Sequence, residues 1–171
     1  MIGLCEIQGT IPISWNKSDI PVQGWTYNGD VDNADLYVKS GHLQDQMVLG
    51  MMPRDDKNFP DVLDFRNHFP NLRHKEAWLQ RLNAGRYLPN HSDSFRGYLK
   101  RFGITNVNEC VRIIIFLEDW HNGQISDIND TLIYKWSAGD YVGWYGLTPH
   151  AVYNFSDKPR IVAQVTGYGR V

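Results

Sequence analysis

Val111-Arg112-Ile113-Ile114-Ile115-Phe116-Leu117 is a nearly continuous apolar run, interrupted only by Arg112. It is β-branched and too short for a typical helix, so it reads as a buried central strand. After it, His121-Asn122-Gly123-Gln124 reads as a turn, Thr131–Trp136 as a strand and Ser137-Ala138-Gly139-Asp140 as a turn. Tyr141–Trp144, His150–Asn154 and Arg160–Thr166 complete the series, with Ser156-Asp157-Lys158-Pro159 turning between the last two. Before it lie short strands at Ile2–Ile7, Val22–Tyr27, Leu36–Val38 and Gln46–Met51. A helical interval separates the two groups. Asp61–Phe69 forms a short helix halted near Pro70, and Asn71 caps a second over Leu72–Asn83. Leu72, Leu79 and Leu82 lie on one side of that helix beside Trp78, and Ala84-Gly85 stops it. From Gly85 onward the pattern is β throughout. The expected fold is mainly β with flanking helices, a sandwich or barrel of many short strands.

The chain has 171 residues, which fits one domain, 1–171, able to bury a core without disulfides or structural zinc. Seventeen Lys and Arg against nineteen Asp and Glu, with 42% hydrophobic residues, exclude a disordered tail, a collagen, a coiled coil and a generally basic nucleic-acid binder. No run approaches the roughly 20 apolar residues of a membrane span. The opening MIGLCEIQGT lacks a charged segment followed by a long apolar one, so it does not read as a signal peptide. Neither Cys5 nor Cys110 sits in a CxxC, and a reduced cytoplasmic protein is the expectation. Charge is uneven. Ser18–Asp64 holds nine Asp and three Lys or Arg, whereas Arg66–Arg101 holds eight Lys or Arg against Glu76 and Asp93. The basic stretch keeps an anionic substrate open, nucleic acid included though not favoured; a solvated face is the commoner meaning. Six Trp and nine Tyr suit pocket walls as well as a core.

Chemistry concentrates in Asn90-His91-Ser92-Asp93. In an extended segment residues i and i+2 point to the same side, so His91 and Asp93 offer an imidazole nitrogen and a carboxylate oxygen to one point. His150 opens a later strand, and Arg160 follows ten residues on, after the Asp-Lys-Pro turn. Two adjacent antiparallel strands joined this way bring His150 and Arg160 into one cavity. Two His and one carboxylate leave three open positions on an octahedral ion, the ligand set of non-haem Fe(II) oxygenases. Arg160 adds a permanently charged fork for gripping a carboxylate.

The order HxD, distal His, then Arg resembles the 2-oxoglutarate and Fe(II)-dependent dioxygenases. Arg86-Tyr87-Leu88-Pro89-Asn90-His91-Ser92-Asp93-Ser94 looks like their first metal-binding strand. Val111–Leu117, continuing to Glu118-Asp119-Trp120, is similar to the strand ending in Leu-x-x-Trp of the prolyl-hydroxylase branch. His150-Ala151-Val152-Tyr153-Asn154 with Arg160 is similar to the aspartyl/asparaginyl-hydroxylase branch. The resemblance covers about Arg86 to Gly167. It implies a double-stranded β-helix (a cupin-like jelly roll) with a catalytic core over 86–167, residues 1–85 supplying supporting strands, helices and part of the entrance. It implies Fe(II) bound by His91, Asp93 and His150, and Arg160 paired with the distal carboxylate of 2-oxoglutarate. O2 is then the oxidant, and hydroxylation of an unactivated C–H bond accompanies release of succinate and CO2. The prime substrate is a peptidyl residue, an amino acid or a small metabolite. No membrane partner is implied, and the oligomeric state is not fixed. Related halogenases lack the carboxylate that Asp93 supplies, which favours hydroxylation.

The chain departs from that pattern at two places. Asn122-Gly123-Gln124 stands where many relatives have Gly-Gly and an acidic residue. Phe116 occupies the position where prolyl hydroxylases often place a Tyr near the cosubstrate carboxylate. Phe cannot donate a hydrogen bond, so another group must assist Arg160; Tyr98, Arg112, Thr148 and Tyr87 are the candidates. Two other classes remain open: a cupin-type metal-dependent enzyme or sensor that does not use 2-oxoglutarate, and a non-enzymatic jelly-roll binding module. The bland alternative leaves His91 and His150 as ordinary histidines and Arg160 paired with Asp157 or Asp140.

Overall fold

The computed structural model describes residues 6–28 and 34–171. Two antiparallel sheets face each other. The larger draws on β1 (Ile7–Thr10), β2 (Thr26–Asn28), β3 (Leu49–Pro53), β4 (Arg73–Leu82), β6 (Cys110–Phe116), β9 (Asp140–Tyr145) and β11 (Arg160–Tyr168), in the order β1-β9-β6-β11-β4-β3-β2. The smaller is β5-β10-β7-β8, with β5 at Arg86–His91, β7 at Gln124–Ile128, β8 at Thr131–Ile133 and β10 at His150–Asn154. From β4 onward the chain alternates between the two sheets: β4, then β5, β6, β7 with β8, β9, β10 and β11. That alternation is the double-stranded β-helix, and the protein is mainly β with few helices.

The pleat sorts the side chains of the large sheet onto two faces. Ile113, Ile115, Ile161, Ala163, Val165 and Leu79 turn to an outer core, closed by Ile11, Trp15, Phe59, Leu63, Phe65 and Phe69 from the first seventy residues. Ile114, Phe116, Val142, Trp144 and Val162 turn inward with Ile128, Ile133 and Trp136. Arg112, Arg160 and Gln164 lie on that same inward face, opposite residues of like parity. The inner face is therefore part core and part polar cavity. Arg86 and Asp45, Arg66 and Asp64, and Arg101 and Glu76 are ion-paired, so part of the basic middle is stitched to acidic residues before or within it.

Several sequence expectations are corrected. Leu72–Asn83 is not a helix but the ten-residue strand β4, paired to β3 on one side and β11 on the other. Its helix-forming residues yield to hydrogen bonding along both edges, with Ala77 and Leu79 buried on one face and Leu82 on the other. Ala84-Gly85 is accordingly the turn that carries the chain from β4 in the large sheet to β5 in the small one, with Gly85 at φ +71°. Leu36–Val38 belongs to the helix α1 (Ala34–Lys39), not a strand. The segment after Gly85 is not purely β: α2 spans Arg96–Phe102 and stops at Gly103 in the left-handed conformation. Asp61–Phe69 forms two short 3-10 turns, Asp61–Leu63 and Phe65–His68. The Ile2–Ile7 strand and Cys5 fall largely outside the described residues. Among the described residues no helix is long and apolar enough to cross a membrane.

Gly123 opens the turn into β7 at φ +96°, and a Cβ there would stand 2.9 Å from both the Phe155 carbonyl carbon and the Ser156 nitrogen. Both obstacles are backbone and cannot swing aside. Gly123→Ala should cost about 1–3 kcal/mol of stability, read as a lowered urea midpoint at unchanged slope.

Candidate metal centre

β5 and β10 are neighbours in the smaller sheet, and His91 and His150 are direct partners at the end of that ladder. Their rings lie 4.3 Å apart between centroids. Asp93 follows β5 by two residues. Ligating atoms of His91, Asp93 and His150 lie within 4.8 Å of one another, and His150 Nε2 is 3.5 Å from Asp93 Oδ2.

The hydrogen bonds fix which nitrogens are free. His91 Nδ1 lies 2.8 Å from the Pro89 carbonyl oxygen, and His150 Nδ1 lies 3.0 Å from that of Thr148. A carbonyl only accepts, so each Nδ1 carries the proton and each Nε2 keeps its lone pair. Asp93 Oδ2 is buried without a hydrogen-bond partner, while Oδ1 is 3.0 Å from Arg112 Nη1. Two neutral imidazole nitrogens and one unsatisfied carboxylate oxygen thus face a common point. This donor set suits a divalent ion of the Fe(II), Mn(II) or Zn(II) kind, with carbonyl-anchored rings as the outer support such ligands need.

Burial pulls His150 down to about 4, against the opposing pull of Asp93. Burial alone would raise Asp93, but the Arg112 guanidinium, and then His150 and His91, hold it below the usual carboxylate range. Both shifts keep Asp93 and His150 deprotonated near neutrality. The sign for stability follows from His150. Its unfolded value is 6.5, so between 6.5 and about 4 the unfolded chain binds more protons than the folded one. The metal-free protein should lose up to roughly 3 kcal/mol across that window as pH falls. Urea unfolding at neutral pH and near pH 4 should show this loss, and His150→Phe should lack that share of it.

A cavity of about 250 Å³ opens beside the triad, and Arg160 lines it together with Gln80, Gln164, Ser126 and Trp144. Arg160 Nη2 donates to Ser126 Oγ at 2.8 Å, and its head lies 5.4 Å from the Phe116 ring and 5.6 Å from the Trp136 ring. Among the described residues no carboxylate lies within ion-pair distance of it, so it pairs with neither Asp157 nor Asp140. Burial lowers its pKa to about 9. The geometry behind this differs from the expected one. β10 and β11 are not adjacent; they lie in opposite sheets and meet across the cavity. Ser126 sits opposite Val152 on β10, two residues from the Ile128–His150 pair, roughly 7 Å along the ladder. A five-carbon diacid can bridge that gap.

The sequence-nominated helpers are placed unevenly. Arg112 lines the cavity but attends Asp93. Tyr98 does not reach it: its hydroxyl donates to the His74 carbonyl, and its ring packs in a separate cluster with Phe95 and Cys110. Thr148 also stands elsewhere, with Oγ1 donating to Tyr145 O while its own carbonyl orients His150. Tyr87 stacks on Tyr153 and meets His42. The group hydrogen-bonded to Arg160 is Ser126, and Phe116, which cannot donate a hydrogen bond, offers its ring face instead. Ser126 stands on β7, a strand whose inward positions Gln124 and Ser126 are polar, so no apolar alternation announced it.

The chain matches no protein-family model and no curated protein. Its structure is similar to that of a Pseudomonas putida prolyl-4-hydroxylase, at 16% identity and a TM-score of 0.53 over 90% of this chain and 96% of that one. It is also similar to the cupin domain of an XRE-family transcriptional regulator from Enterobacter cloacae (11% identity, TM-score 0.45, 71% of this chain and 98% of that one). A third likeness is to the Schizosaccharomyces pombe Cnp3 cupin domain, at 7% identity and a TM-score of 0.42, covering 70% of this chain and 64% of that one, just under two thirds of its length. At these identities the likeness concerns the fold: the two-sheet topology above, with the likeness to the P. putida structure, makes this chain a double-stranded β-helix, or jelly roll.

Proposed function

We propose that the protein is an Fe(II)- and 2-oxoglutarate-dependent dioxygenase that hydroxylates an unactivated C–H bond and releases succinate and CO2. The observation that carries the reading is Arg160, a buried guanidinium with no carboxylate partner among the described residues, in the same cavity as two histidines and an aspartate. An unpaired buried cation is costly, and a bound anion removes that cost. In the second reading, a cupin-type metal enzyme or sensor without 2-oxoglutarate, the guanidinium would hold another anion; a non-enzymatic binding module leaves the His91, Asp93 and His150 set without a task.

His91, Asp93 and His150 would hold the ion. Fe(II) bound there supplies the redox chemistry that couples O2 and 2-oxoglutarate decarboxylation to hydroxylation. The chain's own residues bind, orient and exclude water. Arg160 receives the far carboxylate, Ser126 fixes the guanidinium, and the Phe116 and Trp136 faces confine it. Arg112 occupies Asp93 Oδ1, leaving Oδ2 as the ligating oxygen. The shared fold of the P. putida prolyl-4-hydroxylase is compatible with this chemistry. We take the protein to act in the cytoplasm.

The test is to supply the purified protein with Fe(II), 2-oxoglutarate and O2 and to assay succinate. Uncoupled turnover above a metal-free control is expected. Stoichiometric metal binding with no affinity for 2-oxoglutarate would assign the protein to the cupin alternative, and absence of metal binding to the module.

A further inference from the structure

We infer that the substrate of this site is a small carboxylic acid with an apolar tail, its carboxylate held by Arg112; this rests on the dioxygenase reading above. The cavity carries two guanidiniums, Arg112 and Arg160, and Asp93 is the one carboxylate among the described residues that line it. A divalent ion adds positive charge, and a bound dicarboxylate cancels what the ion adds. One cation then remains in excess in a low-dielectric space, where an unmatched charge is unfavourable.

Arg112 is the cation with capacity to spare. Its Nη1 faces Asp93 Oδ1 at 3.0 Å, its Nε has no partner, and 21% of its side chain stays open. The Phe95 ring lies 5.2 Å from its head and steadies it without neutralising it. It is not a second grip on the diacid that Arg160 would take. Arg112 stands opposite Thr166 on β11, six residues from Arg160, and its head is engaged at Asp93, whereas the far carboxylate of the diacid goes to Arg160.

The remaining wall selects the tail. Leu49, Met51, Leu88 and Val152 line the cavity and are half-buried, an apolar rim from β3, β5 and β10. A volume of about 250 Å³ lies just below the roughly 300–1,000 Å³ of ordinary ligand pockets. A free acid fits that space, with its carboxylate on Arg112 and its hydrocarbon against the rim.

Calorimetric titration of the protein with hexanoate and with hexanamide, with and without Mn(II) and 2-oxoglutarate, tests this without turnover. Hexanoate should bind about 10- to 100-fold more tightly than the amide, the worth of a charged hydrogen bond. Arg112→Gln should erase the difference, Arg112→Lys should keep part of it, and Arg160→Gln should keep it. Equal affinity of acid and amide for the wild type overturns the inference, as does a preference that survives Arg112→Gln. Failure of Mn(II) or 2-oxoglutarate to bind, seen in their own titrations, overturns the dioxygenase reading instead.

Discussion

His91→Ala and His150→Ala are each expected to lower Fe(II) affinity by more than about 100-fold and to abolish succinate formation while the fold persists. Changes outside the coordinating atoms of metal sites already cost 10- to 100-fold, so loss of a coordinating nitrogen must exceed that. Survival of the fold follows from position. Both rings stand at the end of the β5–β10 ladder, facing the cavity, and neither belongs to the two apolar clusters that hold the sheets together. Removing either ring enlarges an existing space, at a cost of about 1–2 kcal/mol. Calorimetric Fe(II) titration under anaerobic conditions, paired with circular dichroism melts, reads both effects. Wild-type succinate production in either variant would reject the triad.

Arg160→Met should move two quantities in opposite directions. Affinity for 2-oxoglutarate should fall by about 30-fold or more, since truncating one member of a buried charge pair costs about 2–5 kcal/mol. Stability of the ligand-free protein should rise by about 1–4 kcal/mol, because a buried cation without an anion gives way to a well-packed thioether between Phe116 and Trp136. Metal affinity should change little, as Arg160 touches none of the three ligands. Arg160→Lys should not restore 2-oxoglutarate binding, lacking the planar fork. Thermal melts with and without 2-oxoglutarate show the crossover: the variant melts higher alone and loses the ligand-induced gain. An unaltered 2-oxoglutarate affinity would remove Arg160 from the account.

The half after Gly85 is the more legible because its strands are written in β-branched residues with marked turns. Val111–Leu117, His150–Asn154 and Arg160–Thr166 fall on β6, β10 and β11. The misreadings have physical causes. Lys75-Glu76-Ala77-Trp78-Leu79-Gln80-Arg81-Leu82 is made largely of good helix formers, yet it lies between two strands that complete its backbone hydrogen bonding. Long-range pairing of that kind leaves no local trace. α2 does leave a trace in the sequence: Phe95, Tyr98, Leu99 and Phe102 follow a helical spacing ahead of Gly103. β7 was hidden by its purpose. Of its inward positions Ser126 bonds Arg160, while Gln124 bonds Ser156 Oγ and the Pro159 carbonyl, and sites are where apolar patterning breaks. The triad residues are legible from the HxD spacing together with the family resemblance, but the partner of Arg160 is not, since Ser126 is 34 residues from it and reaches it from the opposite sheet.

The most direct measurement is an anomalous-difference map from a crystal grown without oxygen in the presence of Fe(II) and 2-oxoglutarate. The account predicts one strong peak roughly 2.0–2.2 Å from His91 Nε2, Asp93 Oδ2 and His150 Nε2, with diacid density running from it to the Arg160 guanidinium. A peak elsewhere, or diacid density that leaves Arg160 untouched, would contradict it.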